Sequence, residues 1–117
     1  MAEYRVIIID PDPTTTNYLA YELRKAGLVV FSTNSAKEGL VLAYQQRPHV
    51  IILEPTITEM PAGEILTKLR KDRRTERTRM IAFSALTSPQ EIQAAIDLEF
   101  FHYMSKEGAS VRSEEHT

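Results

Sequence analysis

The 117-residue sequence contains no cysteine, so a disulfide scaffold, thiol chemistry and cysteine-ligated zinc are excluded at the outset. Histidine is scarce: His49, His102 and His116 stand far apart, with no spacing that suits a shared metal ion. No apolar run exceeds a few residues, which argues against a membrane-spanning helix. The opening MAEYR lacks the shape of a signal peptide, so the cytoplasm is the expected location. Internal repeats, low-complexity tracts and interior linkers are also missing. No G-x-G-x-x-G or Walker loop follows the first apolar run, where IIIDPDPTT stands instead, which counts against a small α/β enzyme or nucleotide binder of the usual kind.

What is present describes an ordinary globule. An apolar fraction of 43% and a charged fraction of 26% suit a single domain with one core, which buries about two-thirds of its extended surface at this size. The net charge of −2 is unevenly spread. Between Lys68 and Arg79 stand seven basic residues (Lys68, Arg70, Lys71, Arg73, Arg74, Arg77 and Arg79) against Asp72 and Glu76, so these twelve positions carry +5 and the remainder −7. Three readings suit this run: a solvated helix end and loop, a dock for an acidic protein partner, or a nucleic-acid contact. The last is disfavoured, because no aromatic residues are interleaved and no recognition motif accompanies it.

Short apolar runs alternate with helical patterns. Arg5–Ile9 is β-branched and closed by Asp10-Pro11, which predicts a buried strand. Asp12 caps a following helix with Pro13 at its first position; Leu19, Leu23 and Ala26 share a face and Gly27 stops it. Leu28–Phe31 is expected as a second strand, Ser35–Gln46 as a second helix and Val50–Leu53 as a third strand. A loop over Glu54–Ala62 leads to a helix over Gly63–Lys71 and a fourth strand over Arg79–Phe83. Ser88-Pro89-Gln90-Glu91 is a capping box that opens a fourth helix through Leu98. Phe100–Met104 completes five strands. The pattern predicts a doubly wound, five-stranded parallel α/β sheet. Past Lys106, EGASVRSEEHT offers only Val111 as a large apolar residue, so the last helix is expected to be short, absent or truncated. Residues 1–107 form the well-matched domain on this reading, and 108–117 an incomplete last helix or tail.

In such sheets the functional crevice lies beyond the carboxyl ends of the strands. Those ends carry Asp10 and Asp12, Glu54, Ser84 and Lys106. The carboxylates of Asp10, Asp12 and Glu54 suit a weak site for Mg²⁺, with Glu59 as a further donor, while a lysine and a hydroxyl suit a phosphoryl group. Each residue has a plainer reading. Asp12 serves as a helix cap, Ser84 as a loop hydroxyl, and Lys106 as an ion-pair partner of Asp10 or Glu54.

Taken together, RVIIIDPDP, RPHVIILE, RMIAFSA and FFHYMSK make the sequence resemble the receiver domain of two-component response regulators, which implies a flavodoxin-like fold. In that family a pair of acids follows the first strand, an aspartate ending the third accepts a phosphoryl group, and a Ser/Thr ends the fourth. A lysine ends the fifth, three residues after a switch aromatic. The resemblance assigns these positions to Asp10, Pro11, Glu54, Ser84, Lys106 and Tyr103, the last with a plain packing role as its rival. Several departures cluster at the site. Pro11 has no carboxylate, and the extra methylene of Glu54 moves the acceptor by about 1.5 Å, a displacement that costs about a hundredfold in rate. Thr58 and Glu107 stand where prolines are common, Glu99 replaces a common glycine, and the loop PTITEMPAG is one residue longer than usual.

The resemblance thus implies a non-enzymatic signalling module of pseudo-receiver type. Such a module acts through protein contact without normal phosphorylation, with no cofactor or weakly bound Mg²⁺. The alternative is a phosphoacceptor that receives its group from a histidine kinase with Mg²⁺. Glu54 itself has three readings: a phosphomimetic, a retained salt bridge to Lys106, or a residual acceptor. The partner, whether an output domain, a kinase or a second copy, is expected at the fourth helix and fifth strand. An acidic protein is a further candidate at Lys68–Arg79. The chain is expected to be a fragment or the amino-terminal part of a larger protein.

Overall fold

The computed structural model describes residues 3–84, 90, 93 and 102–106, with the backbone alone for 102–105. The β-branched run RVIII forms strand β1 (Arg5–Ile9), and the capped segment after it forms helix α1 (Pro13–Lys25). Strand β2 (Val29–Thr33) and helix α2 (Ala36–Gln46) come next. Strand β3 (Val50–Leu53), helix α3 (Ala62–Lys71), strand β4 (Arg79–Ser84) and strand β5 (His102–Ser105) complete the described elements. All pairings are parallel in the order β2-β1-β3-β4-β5, the flavodoxin-like arrangement.

Local chemistry explains the boundaries. Asp12 Oδ1 accepts from the Thr14 amide at 3.0 Å and Pro13 occupies N1 of α1. Gly27, with φ of +95°, makes the left-handed turn after it. Arg47 takes a left-handed φ of 48° after α2, where the Arg5 guanidinium donates to the carbonyls of Gln46 and Arg47 at 2.7 and 2.9 Å. Strand β2 departs from the expected Leu28–Phe31 and runs on through Thr33. Ser32 and Thr33 stay in register with Ile8 and Ile9, so the ladder with β1 outlasts the apolar run. The described part of β5 extends to Ser105, one residue beyond expectation, where it pairs with Ser84. The expected fourth helix lies outside the described residues except for Gln90 and Gln93, which are helical, and the last helix lies wholly outside them.

Alternation along the strands divides the core into two layers. Ile7, Ile9, Ile51, Leu53 and Met80 face α2 and α3 and pack on Leu40, Ala43, Ile65 and Leu69. Val6, Ile8, Val30 and Val50 face the other way, with Ala20, Leu19 and Leu23 of α1. Strands buried on both faces account for their nearly continuous apolar sequences. Among the described residues no helix is long and apolar enough to cross a membrane.

Candidate functional site

The parallel register places the ends of β1, β3, β4 and β5 at one edge. The Asp10 amide donates to the Thr33 carbonyl and the Glu54 amide to the Ile9 carbonyl, so both acids follow directly from the ladder. Asp10 is 2% exposed, Glu54 4% and Ser84 fully buried.

Lys106 joins the two acids. Its Nζ lies 2.8 Å from Glu54 Oε1 and 3.0 Å from Asp10 Oδ2. Glu54 Oε2 accepts from Ser84 Oγ at 2.7 Å, from Thr56 Oγ1 at 2.8 Å and from the Thr56 amide at 3.1 Å. Asp10 Oδ1 accepts from the Asp12 amide at 2.9 Å, whereas its buried Oδ2 meets Lys106 as an ion pair without hydrogen-bond alignment. One ammonium thus faces two buried carboxylates, leaving a surplus negative charge.

The two acids respond in opposite directions. Burial pushes the Asp10 carboxyl above its ordinary value, reinforced by the Glu54 charge and only partly offset by the Asp12 amide and Lys106. Burial acts on Glu54 in the same direction but is outweighed by Lys106, Ser84 and Thr56, which hold that carboxyl below its ordinary range. Burial pulls the Lys106 ammonium down, and Glu54 and Asp10 more than reverse this.

The other acids that the sequence nominates turn their carboxylates away from this cluster. Asp12 turns its carboxylate to Thr14 and Thr15, as a helix cap does. Glu59 does not join Asp10 and Glu54 as a further donor. Its carboxylate sits at the amino end of α2, accepting from the Ala36 amide at 2.6 Å, the Lys37 amide at 3.2 Å and Ser35 Oγ at 3.0 Å. Those helix amides hold its carboxyl below the ordinary range. Among the described residues no three acidic or histidine side chains are grouped as a metal site. Tyr103 lies on β5 in register with Ala82. Thr56 escaped the sequence reading. The available signal was a threonine two residues past an acid, the spacing at which such side chains bond locally.

The basic run is partly spent within the fold. Arg70 donates to the carbonyl of Thr78 at 2.7 Å, and Arg74 binds Asp72 at 2.9 and 2.7 Å while lying over the Tyr44 ring. Arg74 holds the Asp72 carboxyl down at about 2.

The family model described as the response regulator receiver domain matches residues 6–115. The chain belongs to that family. It is therefore a signalling domain of the two-component type and not an enzyme. A 14.6 kDa uncharacterized protein of Leptolyngbya boryana is 27% identical over 106 residues, covering 91% of this receiver domain and 81% of that protein. Among solved structures, the chemotaxis protein CheY4 of Vibrio cholerae superposes with a TM-score of 0.80 at 22% identity, covering 90% of this chain and 88% of that one. The BeF3-activated receiver domain of Klebsiella pneumoniae RstA superposes with a TM-score of 0.76 at 14% identity, covering 87% and 85%. At these identities the likeness to the two solved structures is one of fold.

Proposed function

We propose that this receiver domain acts in the cytoplasm through protein contact, with Glu54 maintaining a standing charge arrangement in place of a phosphoryl group. The observation that carries this reading is the double engagement of one carboxylate: Oε1 on Lys106 and Oε2 on Ser84. The lysine and hydroxyl that the family directs at a phosphoryl group are here already turned toward a carboxylate. That carboxylate has less charge and fewer acceptor oxygens than phosphate, so the arrangement is a weaker version of the activated one. The partner surface is the fourth helix with β5, an edge strand of the described sheet.

A second reading, acceptance of a phosphoryl group from a histidine kinase with Mg²⁺, is the one that the comparisons support better. The family match spans nearly the whole chain, and RstA was solved in a BeF3-activated form. Asp10 and Glu54 would hold the ion, which would supply charge neutralisation at the acceptor. The surplus negative charge of the site and the unaligned Asp10 Oδ2 suit this, whereas Pro11 contributes no carboxylate.

An amide NMR titration with Mg²⁺ and then beryllofluoride separates the two. On the first reading, Asp10, Glu54, Ser84 and Lys106 stay unmoved in the parent chain and respond once Glu54→Asp restores the family's acceptor. Saturable shifts in the parent that reach Tyr103 establish the second reading and end the first.

A further inference from the structure

The opposite, amino edge of the sheet carries a cleft of about 450 Å³ lined by Tyr4, Pro48, His49, Arg77, Thr78 and Arg79, with Arg74 at its side. Clefts that take small ligands run from roughly 300 to 1,000 Å³. Its floor is fixed by the ladder. The Arg79 amide donates to the His49 carbonyl, the His49 amide to the Arg5 carbonyl, and Thr78 Oγ1 to the Pro48 carbonyl at 2.8 Å. These groups are spent, so recognition falls to side chains that face outward.

Three such features converge. The Tyr4 ring stacks on His49 at 4.7 Å and 14° yet remains 45% exposed, an aromatic platform with open surface. His49 Nδ1 accepts the Arg5 amide at 2.9 Å, so the neutral imidazole carries its proton on Nε2 as a donor. Arg77 is exposed and has no ion pair or hydrogen bond among the described residues. Of the acids nearby, Asp72 is committed to Arg74 and Glu3 lies toward Arg5 at 3.9 Å, while Glu76, next to Arg77 in sequence, is exposed and makes no ion pair among the described residues. The sequence shows no aromatic interleaved in the basic run, but folding brings Tyr4 and His49 beside Arg77.

We propose that this cleft binds a small ligand that joins a planar ring to a phosphate, of the nucleoside monophosphate class. The ring stacks against Tyr4, and the phosphate meets the Arg77 guanidinium, whose planar fork matches its oxygens. The site is separate from the acidic edge and needs no glycine-rich loop.

Amide NMR of the full chain, titrated in parallel with adenosine 5′-monophosphate, adenosine, inorganic phosphate and a poly-glutamate peptide, tests this. The monophosphate is expected to give saturable shifts at Tyr4, His49, Arg77 and Thr78 by about 1 mM, with adenosine or phosphate alone at least about tenfold weaker. Arg77→Ala and Tyr4→Ala, both at exposed positions, each weaken the monophosphate by about tenfold, and Arg77→Lys recovers part of the loss. The proposal is overturned by no saturable shift up to about 5 mM, by phosphate alone binding equally well, by unchanged affinity in both alanine variants, or by tighter binding of the acidic peptide.

Discussion

Lys106 is the counter-charge for two buried acids, and its removal leaves both uncompensated. Lys106→Met keeps most of the side chain's length and removes the ammonium, so it is expected to cost about 3 kcal/mol at pH 7, the scale on which broken buried pairs destabilise a protein. Near pH 4 the deficit shrinks, because Asp10 and Glu54 can then take up protons. Urea unfolding of both proteins at the two pH values checks this; an equal deficit at both would sink the assignment. The directions of shift also set the pH dependence of the parent. Glu54, held low, contributes stability above the ordinary carboxylate range and loses it as pH falls through its lowered value. Asp10, pushed up, works the other way: its ionised form costs stability, and acid relieves that cost. Lys106, pushed above its ordinary 10.5, contributes fully below that pH and loses its contribution as pH rises through the raised value. Above about pH 10.5 the parent is therefore expected to lose stability that Lys106→Met does not, so the gap between the two narrows, measured by urea unfolding followed by circular dichroism.

At the scale of elements, two devices set α2 against the site. Glu59, from the loop between β3 and α3, caps the first turn of α2 and so ties the loop that begins at Glu54 back to the preceding helix. Glu59→Ala is expected to speed hydrogen exchange at the Ala36 and Lys37 amides while leaving the middle of α2 protected. Because the Glu59 carboxyl is held low, the same protection in the parent persists above the ordinary carboxylate range and fades as pH falls below it. Unchanged exchange at both amides in the variant would rule out the cap. Gly39 is the second device. A Cβ there would fall on Ile9 Cδ1 and lie 2.7 Å from Cγ1, and Ile9 is fully buried directly before Asp10. Gly39→Ala gains up to about 1 kcal/mol of helix propensity but overpacks α2 against β1, at about 1–3 kcal/mol. A net loss in urea midpoint is expected, with amide shifts at Ile9 and Asp10; a gain in midpoint would mean that Ile9 repacks freely.

Over the whole molecule, one sheet presents opposite chemistry at its two edges: buried acids around a single lysine at the carboxyl ends, and arginines beside an aromatic stack at the amino ends. The sequence by itself determined β1 and β3 to the residue, the Asp12–Pro13 start of α1, the Gly27 stop, the parallel architecture and the family. The elements rest on apolar periodicity, capping and turn chemistry, which act across a few neighbouring positions and are therefore written locally, while the family rests on the resemblance carried by RVIIIDPDP, RPHVIILE, RMIAFSA and FFHYMSK. Asp10, Glu54, Ser84 and Lys106 were legible as a group because strand ends meet at one edge in any sheet of this order. Only the tertiary structure decided how they divide the charge. Glu54 and Ser84 are 30 positions apart in sequence, and whether Lys106 serves one acid or both depends on the spacing of β1, β3 and β5. The same holds for Glu59, whose carboxylate is drawn by the amides of α2, and for Tyr4, His49 and Arg77, which adjacent strand starts bring together. Side-chain partners separated by tens of residues are set by the order and register of the sheet, and no short stretch of sequence encodes either.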